Sequence, residues 1–321
     1  MTRFTPLTVT IPTRNRRGRV YALVQQIVSQ ILPGDQVIVS DDASTDGTTE
    51  ALKSLPGVTV HRHDVGLGMV GNWNYCLGVG TNDWICMVHD DDQLLPCALA
   101  AIRRVAAASP PALIAHAEWE SGVVGRITRM LRGAGSLGNH FFGGAGISSP
   151  DDLSASDRPA GADAVLRGEF CPSGVTIHRA IVKRIGGFDP QFKYSADMEY
   201  FARICAEFPS SIIHSPRIIK YVRHEQQYSI ETWRQADFLV ELERVERAAI
   251  SHAGLDEASA AALLDRRLVR DMSHMLRTVR RDPDQVRRIA RSLGSRKTLG
   301  RRERVAACLG VWLGWYPPFL V

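Results

Sequence analysis

No two cysteines in the 321 residues form a C-x-x-C pair, and the six present (Cys76, Cys86, Cys97, Cys171, Cys205, Cys308) are scattered. That spacing excludes a structural zinc site and a disulfide scaffold and leaves reduced, buried thiols. Aromatic residues make up 7% of the chain, with neither an aromatic-rich RNA-binding signature nor zinc-finger spacing, so nucleic acid is not an expected partner. Met1 to Pro6 is polar, and the first apolar stretch, Leu7–Ile11, is too short for a signal-peptide core. The expectation is a protein that stays in the cytoplasm. There is no internal repeat. The remaining composition, 45% hydrophobic and 23% charged, suits a globular chain with a sizeable core in one large domain or two small ones.

Charge is unevenly spread. Residues Arg280 to Arg304 hold ten basic side chains against three acidic ones, a local +7, while the rest of the chain sums to −2. Val305 to Val321 follows without a charge and contains Trp312, Trp315, Tyr316 and Phe319. A spanning helix needs about twenty apolar residues, so this segment is too short to cross a bilayer. Arginines for anionic headgroups and an aromatic end suit peripheral membrane binding; a final helix packed on the domain or a dimer partner is the alternative. The expected location is the inner face of the cell membrane.

The first hundred residues alternate β-branched runs with amphipathic stretches: Leu7–Ile11, Val20 to Ile31, Gln36–Ser40, Thr48–Ser54, Val58–Arg62, Asn72–Val79, Trp84–Val88 and Pro96–Ala108. This pattern predicts an α/β fold with a parallel sheet covered by helices, and ligands at the carboxyl ends of its strands. Eight glycines between Gly122 and Gly146 predict a loop able to close over a substrate. Regular structure is expected to resume at Ala180–Ile185, with helices from about Asp197 to Glu207 and from Trp233 to Pro317.

The run Trp84 to Val88 ends in His89-Asp90-Asp91-Asp92. Three successive carboxylates at a strand end repel one another unless a hard cation or solvent offsets them. A solvated acidic turn capping the next helix is the plainer possibility. The position at the sheet's ligand edge favours Mn²⁺ or Mg²⁺ bridging to phosphate oxygens.

With this loop, several motifs stand in order: Ile11-Pro12-Thr13-Arg14-Asn15-Arg16, Val39-Ser40-Asp41-Asp42-Ala43-Ser44-Thr45-Asp46-Gly47-Thr48, Ile185-Gly186-Gly187-Phe188-Asp189 and Ser195-Ala196-Asp197-Met198-Glu199-Tyr200. Together they resemble the family-2 glycosyltransferases of GT-A fold over residues 7 to 230. The resemblance implies a GT-A (Rossmann-like), mostly parallel central sheet flanked by helices, with a C-terminal helical extension. It divides the chain into a nucleotide-sugar-binding half (1–110), an acceptor-binding half (111–230) and an extension (231–321).

The resemblance also assigns roles. Asp91 is the first choice for direct coordination of the metal, with Asp92 following as a second metal ligand and Asp90 beside them at the donor. Asp42 accepts the base N3–H while Pro12 and Thr13 lie along the base, and Arg14 and Arg16 help neutralise phosphate. A carboxylate there accepts uracil or thymine and repels the N3 of cytosine, favouring UDP or dTDP donors. Asp41 to Gly47 also reads as an Asx turn and helix cap, with Asp46 or Thr45 as the cap. Asn74 is a donor contact, and His224, in Arg223-His224, approaches the metal or diphosphate.

Gly66-Leu67-Gly68-Met69-Val70-Gly71 matches the dinucleotide fingerprint, with Asp90 nineteen residues after Gly71. It follows the third strand rather than the first, and a ribose needs one carboxylate, not three, so an NAD enzyme is disfavoured. Asp197 matches the family's catalytic base, although Ser195-Ala196-Asp197 also suits a helix cap. Cys171-Pro172-Ser173-Gly174 reads either as acceptor-pocket lining or as a turn.

The resemblance thus implies an inverting transfer from a UDP- or dTDP-sugar to a saccharide or lipid-linked acceptor hydroxyl, in assembly of bacterial surface polysaccharide or glycolipid. A sugar nucleotidyltransferase is the runner-up, but Pro12 to Arg16 lacks the glycines of its phosphate loop. An inactive glycosyltransferase-like binding or scaffold protein is the third reading.

Overall fold

The computed structural model describes residues 4–108, 112–119, 172–208, 212–222 and 237–253, with the single residues 256 and 258. The glycine-rich segment 122–146, Cys171, Arg223-His224 and the basic and aromatic C-terminal segments lie outside the described residues. Two units emerge. The first holds the described residues up to 190 and those at 207–222; the second holds 191–206 and 237–253.

The first unit is built on β1 (Leu7–Thr13), all seven residues of which are buried. Such a strand has both faces covered, which is why its apolar residues are not confined to alternate positions. Chain order continues through α1 (Arg17–Val28), β2 (Gln36–Asp41), α2 (Thr48–Lys53), β3 (Val58–Arg62), α3 (Gly68–Gly78), β4 (Trp84–Met87), β5 (Gln93–Leu94), α4 (Ala98–Ala108), β6 (Ala112–Trp119), β7 (Val175–His178), α5 (Arg179–Ile185) and β8 (Ile212–Tyr221). These strands form one sheet in the order β3-β2-β1-β4-β7-β6-β8-β5.

Strands β3, β2, β1 and β4 are parallel, as the alternating pattern predicts. Beyond them the sheet is mixed. β7 runs antiparallel to β4 and β6, β6 and β8 are parallel, and β5 is antiparallel to β8. Strands from 1–110 and from 111–230 share this sheet, joined where β4 pairs with β7 and β5 with β8.

Helix α1 buries Val20, Leu23, Val24 and Ile27, one face at 3.6-residue periodicity. They join Leu7, Val9, Ile11, Val37 and Val39 in the core; each such side chain contributes about 1.5–3 kcal/mol. No side chain of its own caps α1; instead Asp46 accepts the Arg17 N–H at 3.1 Å. The opposite end of the sheet is fixed by a buried ion pair between Arg103 of α4 and Asp35, whose carboxylate also accepts the Leu7 and Leu32 N–H groups.

The second unit contains α6 (Ala196–Glu207, with Glu207 at the boundary) and α7 (Asp237–Ala253). Phe238, Leu242, Val245 and Ala249 are buried along one face of α7. Among the described residues no helix is long and apolar enough to cross a membrane.

Candidate active site

Three loops leave the carboxyl ends of β1, β2 and β4 side by side, because those strands are neighbours and parallel. The first two are tied together. Asn15, at a left-handed φ of 52°, donates its N–H to Ser44 Oγ at 2.8 Å and accepts the Thr45 N–H at 2.8 Å. The Asp42 N–H donates to the Thr13 carbonyl at 2.9 Å. Asn tolerates that conformation better than most residues.

Asp41, the last residue of β2, and Asp42, just after it, have separate tasks. Asp41, fully buried, accepts from Ser44 N–H at 3.0 Å and from the Thr49 hydroxyl. It is consumed in holding its own turn. Asp46 accepts from the Thr48 N–H at 3.1 Å and its hydroxyl at 2.5 Å, the capping role the sequence allowed it. Asp42 remains for the site: one oxygen takes the Leu67 N–H, the other faces Arg14 Nη1 at 3.3 Å. Leu67 lies within the glycine motif after β3, so that motif closes on Asp42 beside the edge strand of the sheet.

After β4 the carboxylates diverge. Asp90 accepts the Thr13 hydroxyl at 2.7 Å and Arg16 Nη1 at 2.8 Å, and Asp91 accepts the same Arg16 nitrogen at 2.7 Å. Arg16 is therefore a direct counter-charge to two of the three acids. Thr13, expected along the base, has its hydroxyl on Asp90. Asp92 accepts the Val222 N–H at 3.3 Å and hydrogen-bonds to the Ser173 hydroxyl, which also receives the His89 N–H at 3.1 Å. Burial raises the pKa of Asp90 to about 6, against the lowering effect of Arg16, and that of Asp92 to about 7, against Ser173. Desolvation likewise lowers His89 to about 4, so its imidazole is neutral; it stacks on Trp73 at 4.8 Å.

Trp73 in turn meets Phe188 edge-on at 5.2 Å. The neighbouring Asn74, expected at the donor, binds the Phe188 backbone at both ends of its amide, with N–H to Oδ1 at 2.7 Å and Nδ2 to the carbonyl at 2.8 Å. A Cβ on Gly187 would collide with Asn74 Oδ1, which explains a glycine before Phe188. Asn74 is thus a fastener of the Gly186-Gly187-Phe188 turn rather than a group held out to a ligand.

The site brings together Thr13, Arg14, Asp42, Asp90 and Asp91, with Pro12 buried in β1. Asp197 stands in the second unit at the first turn of α6. The sequence reading missed Ser173 as the strut beneath the carboxylate loop and undervalued Arg16. A basic residue following a neighbouring strand is the available signal, but its partner lies 75 positions away.

A divalent cation fits this donor set in one respect: a positive group already sits where Asp90 and Asp91 converge, and the Asp91 side chain is 14% exposed. Among the described residues no three His, Cys, Asp or Glu side chains form a metal cage. Magnesium, held by one or two carboxylates and completed by water and phosphate, does not require one.

Residues 8–145 match the model of glycosyl transferase family 2. The chain is similar to an uncharacterized glycosyltransferase of Haemophilus influenzae, 31% identical over 91 residues, 28% of this chain and 31% of that protein. The chain spans about a third of the length of the curated relatives it matches.

The fold is GT-A. TarS 1–349 of S. aureus, crystallised with UDP-GlcNAc, superposes with a TM-score of 0.63 at 14% identity, over 97% of this chain and 92% of that one. The mannosyltransferase PcManGT of Pyrobaculum calidifontis, in complex with GDP-Man and Mn²⁺, does so with a TM-score of 0.57 at 19% identity, over 99% and 83%.

Proposed function

We propose that the chain is an inverting glycosyltransferase, dependent on Mn²⁺ or Mg²⁺, that moves a sugar from a UDP- or dTDP-sugar to a saccharide or lipid-linked acceptor hydroxyl. Its setting is the assembly of bacterial surface polysaccharide or glycolipid at the inner face of the membrane. The observation that carries this reading is Thr13, whose carbonyl accepts the Asp42 N–H and whose hydroxyl donates to Asp90, which Arg16 bridges to Asp91. Structural neighbours bound to UDP-GlcNAc, and to GDP-Man with Mn²⁺, support it.

In this reading Asp42 accepts the N3–H of uracil or thymine, Asp90 contacts the donor, and Asp91 and Asp92 would hold the metal, with His224 as a further ligand. A bound Mn²⁺ or Mg²⁺ would supply charge neutralisation for the departing diphosphate. Arg14 and Arg16 share that task. Asp197 takes the acceptor proton as the acceptor oxygen attacks C1; the bond from C1 to the diphosphate oxygen breaks and its electron pair leaves with the diphosphate. One displacement inverts the anomeric centre.

The test is a thermal-shift panel of UDP, dTDP, CDP and GDP with and without Mn²⁺. Stabilisation by UDP or dTDP that requires the metal is expected. Stabilisation by CDP, or by every diphosphate alike, would overturn the role of Asp42.

A further inference from the structure

Ahead of α6 the chain is held by one carboxylate from far along the sequence. Glu241 Oε1 accepts the Lys193 N–H at 2.9 Å; Oε2 accepts the Tyr194 N–H at 2.8 Å, the Ser195 N–H at 3.2 Å and the Ser195 hydroxyl at 3.2 Å. Three consecutive backbone donors and a side chain converge on a single group from 46 to 48 residues away. Two ring contacts join the same two segments: Arg244 lies 4.8 Å over Phe192, and Phe238 meets Tyr194 at 6.4 Å. Ser195 is fully buried and its carbonyl accepts the Glu199 N–H at 3.0 Å, the first bond of α6.

We propose that Glu241 is a positioning residue for the transfer: by fixing residues 193–195 it sets where α6 starts, and so where Asp197 stands. The proposal rests on Asp197 being the base. Asp197 follows Ser195 by two residues, about 3 Å along a helix. A displacement of that entry passes directly to the carboxylate, and misplacement of about 1 Å is costly in a reacting geometry. Ionised Glu241 is acceptor-only, matching four converging donors; glutamine keeps the shape but turns an NH₂ toward them.

Full-length protein with Mn²⁺ tests it, using hydrolysis of UDP-GlcNAc with water as acceptor, UDP affinity by calorimetry, and hydrogen exchange of the 192–201 segment. Glu241→Gln is expected to bind UDP within about twofold of wild type, to exchange faster through that segment and to lose on the order of tenfold in hydrolysis, part of a base's usual contribution. In an Asp197→Asn background it should cost nothing more. Should Glu241→Gln fail to fold, Ser195→Ala, which removes one of the four bonds, is expected to give a several-fold loss that likewise depends on Asp197. Unchanged exchange, unchanged hydrolysis, or an equal loss with and without Asp197 would overturn positioning. Wild-type hydrolysis by Asp197→Asn alone would instead remove the base assignment on which the proposal stands.

Discussion

Arg16 Nη1 lies 2.7 Å from Asp91 Oδ2, so the carboxylate assigned to the metal already has a cation on it. A divalent ion arriving alone must displace that guanidinium. Free Mn²⁺ is expected to bind wild type weakly and Arg16→Gln about tenfold more tightly, as removal of a charged hydrogen bond allows; the free-ion signal in electron paramagnetic resonance measures both. UDP should raise wild-type Mn²⁺ affinity, and Asp91→Asn should abolish that gain. Nucleotide affinity in wild type that ignores the metal would contradict the assignment.

Asp197→Asn should bind donor nearly as wild type and lose about 10² to 10⁴ in transfer rate. The product anomer, read by NMR, should be inverted. A folded mutant with full turnover would leave Asp197 as a helix-start residue only.

The raised pKa values of Asp90 and Asp92, about 6 and about 7, mean that the folded, metal-free protein holds protons that the unfolded chain has already released. Stability from these groups therefore falls as pH rises from about 4 to about 7, the reverse of the usual carboxylate effect. The metal-free protein should gain melting temperature between pH 8 and pH 6, and Asp92→Asn should reduce that gain. Mn²⁺ affinity should move the other way, rising with pH, since its ligands must be deprotonated.

Asp35→Ala removes the buried partner of Arg103 and the acceptor of two backbone N–H groups. Stranding a buried charge typically costs about 3–5 kcal/mol. Urea unfolding should show that loss, while UDP affinity of the folded fraction is unchanged because the pair is at the end of β1 remote from its ligand loop.

The uncharged C-terminal aromatic segment after the +7 stretch should carry full-length protein onto anionic vesicles, with binding weakened by salt. Trp312→Ala with Trp315→Ala should reduce co-sedimentation. No partition by either protein, or equal partition of wild type and the double mutant, would argue for a packed helix instead.

Much of the parallel half was legible because period and buried-run length are local signals. β3 falls at Val58–Arg62 as the pattern predicts, and α1 buries the residues at helical spacing. What escaped was pairing over long separations. Asp41 and Asp42 are identical in sequence terms, yet only the fold shows that Thr49 and Ser44 consume the first. Asn74 looked like a ligand contact because its partner is the backbone of Phe188, 114 residues on, where no side-chain pattern advertises it. The antiparallel entry of β7 was similarly invisible, since strand direction depends on where the chain returns.

The short passage between β4 and β5 has a consequence for length. β7, β6 and β8 lie between those strands in the sheet, yet only Val88 to Asp92 carries the chain from β4 to β5. The passage is not extended: the Asp92 N–H donates to the His89 carbonyl at 3.2 Å and closes a turn. That turn rests on Ser173 and Val222, both of which it touches. A residue lost or gained between Met87 and Gln93 would open the turn and shift the acids off their supports. In related sequences the spacing itself, more than the identity of any one acid, should report whether this crossing has been kept.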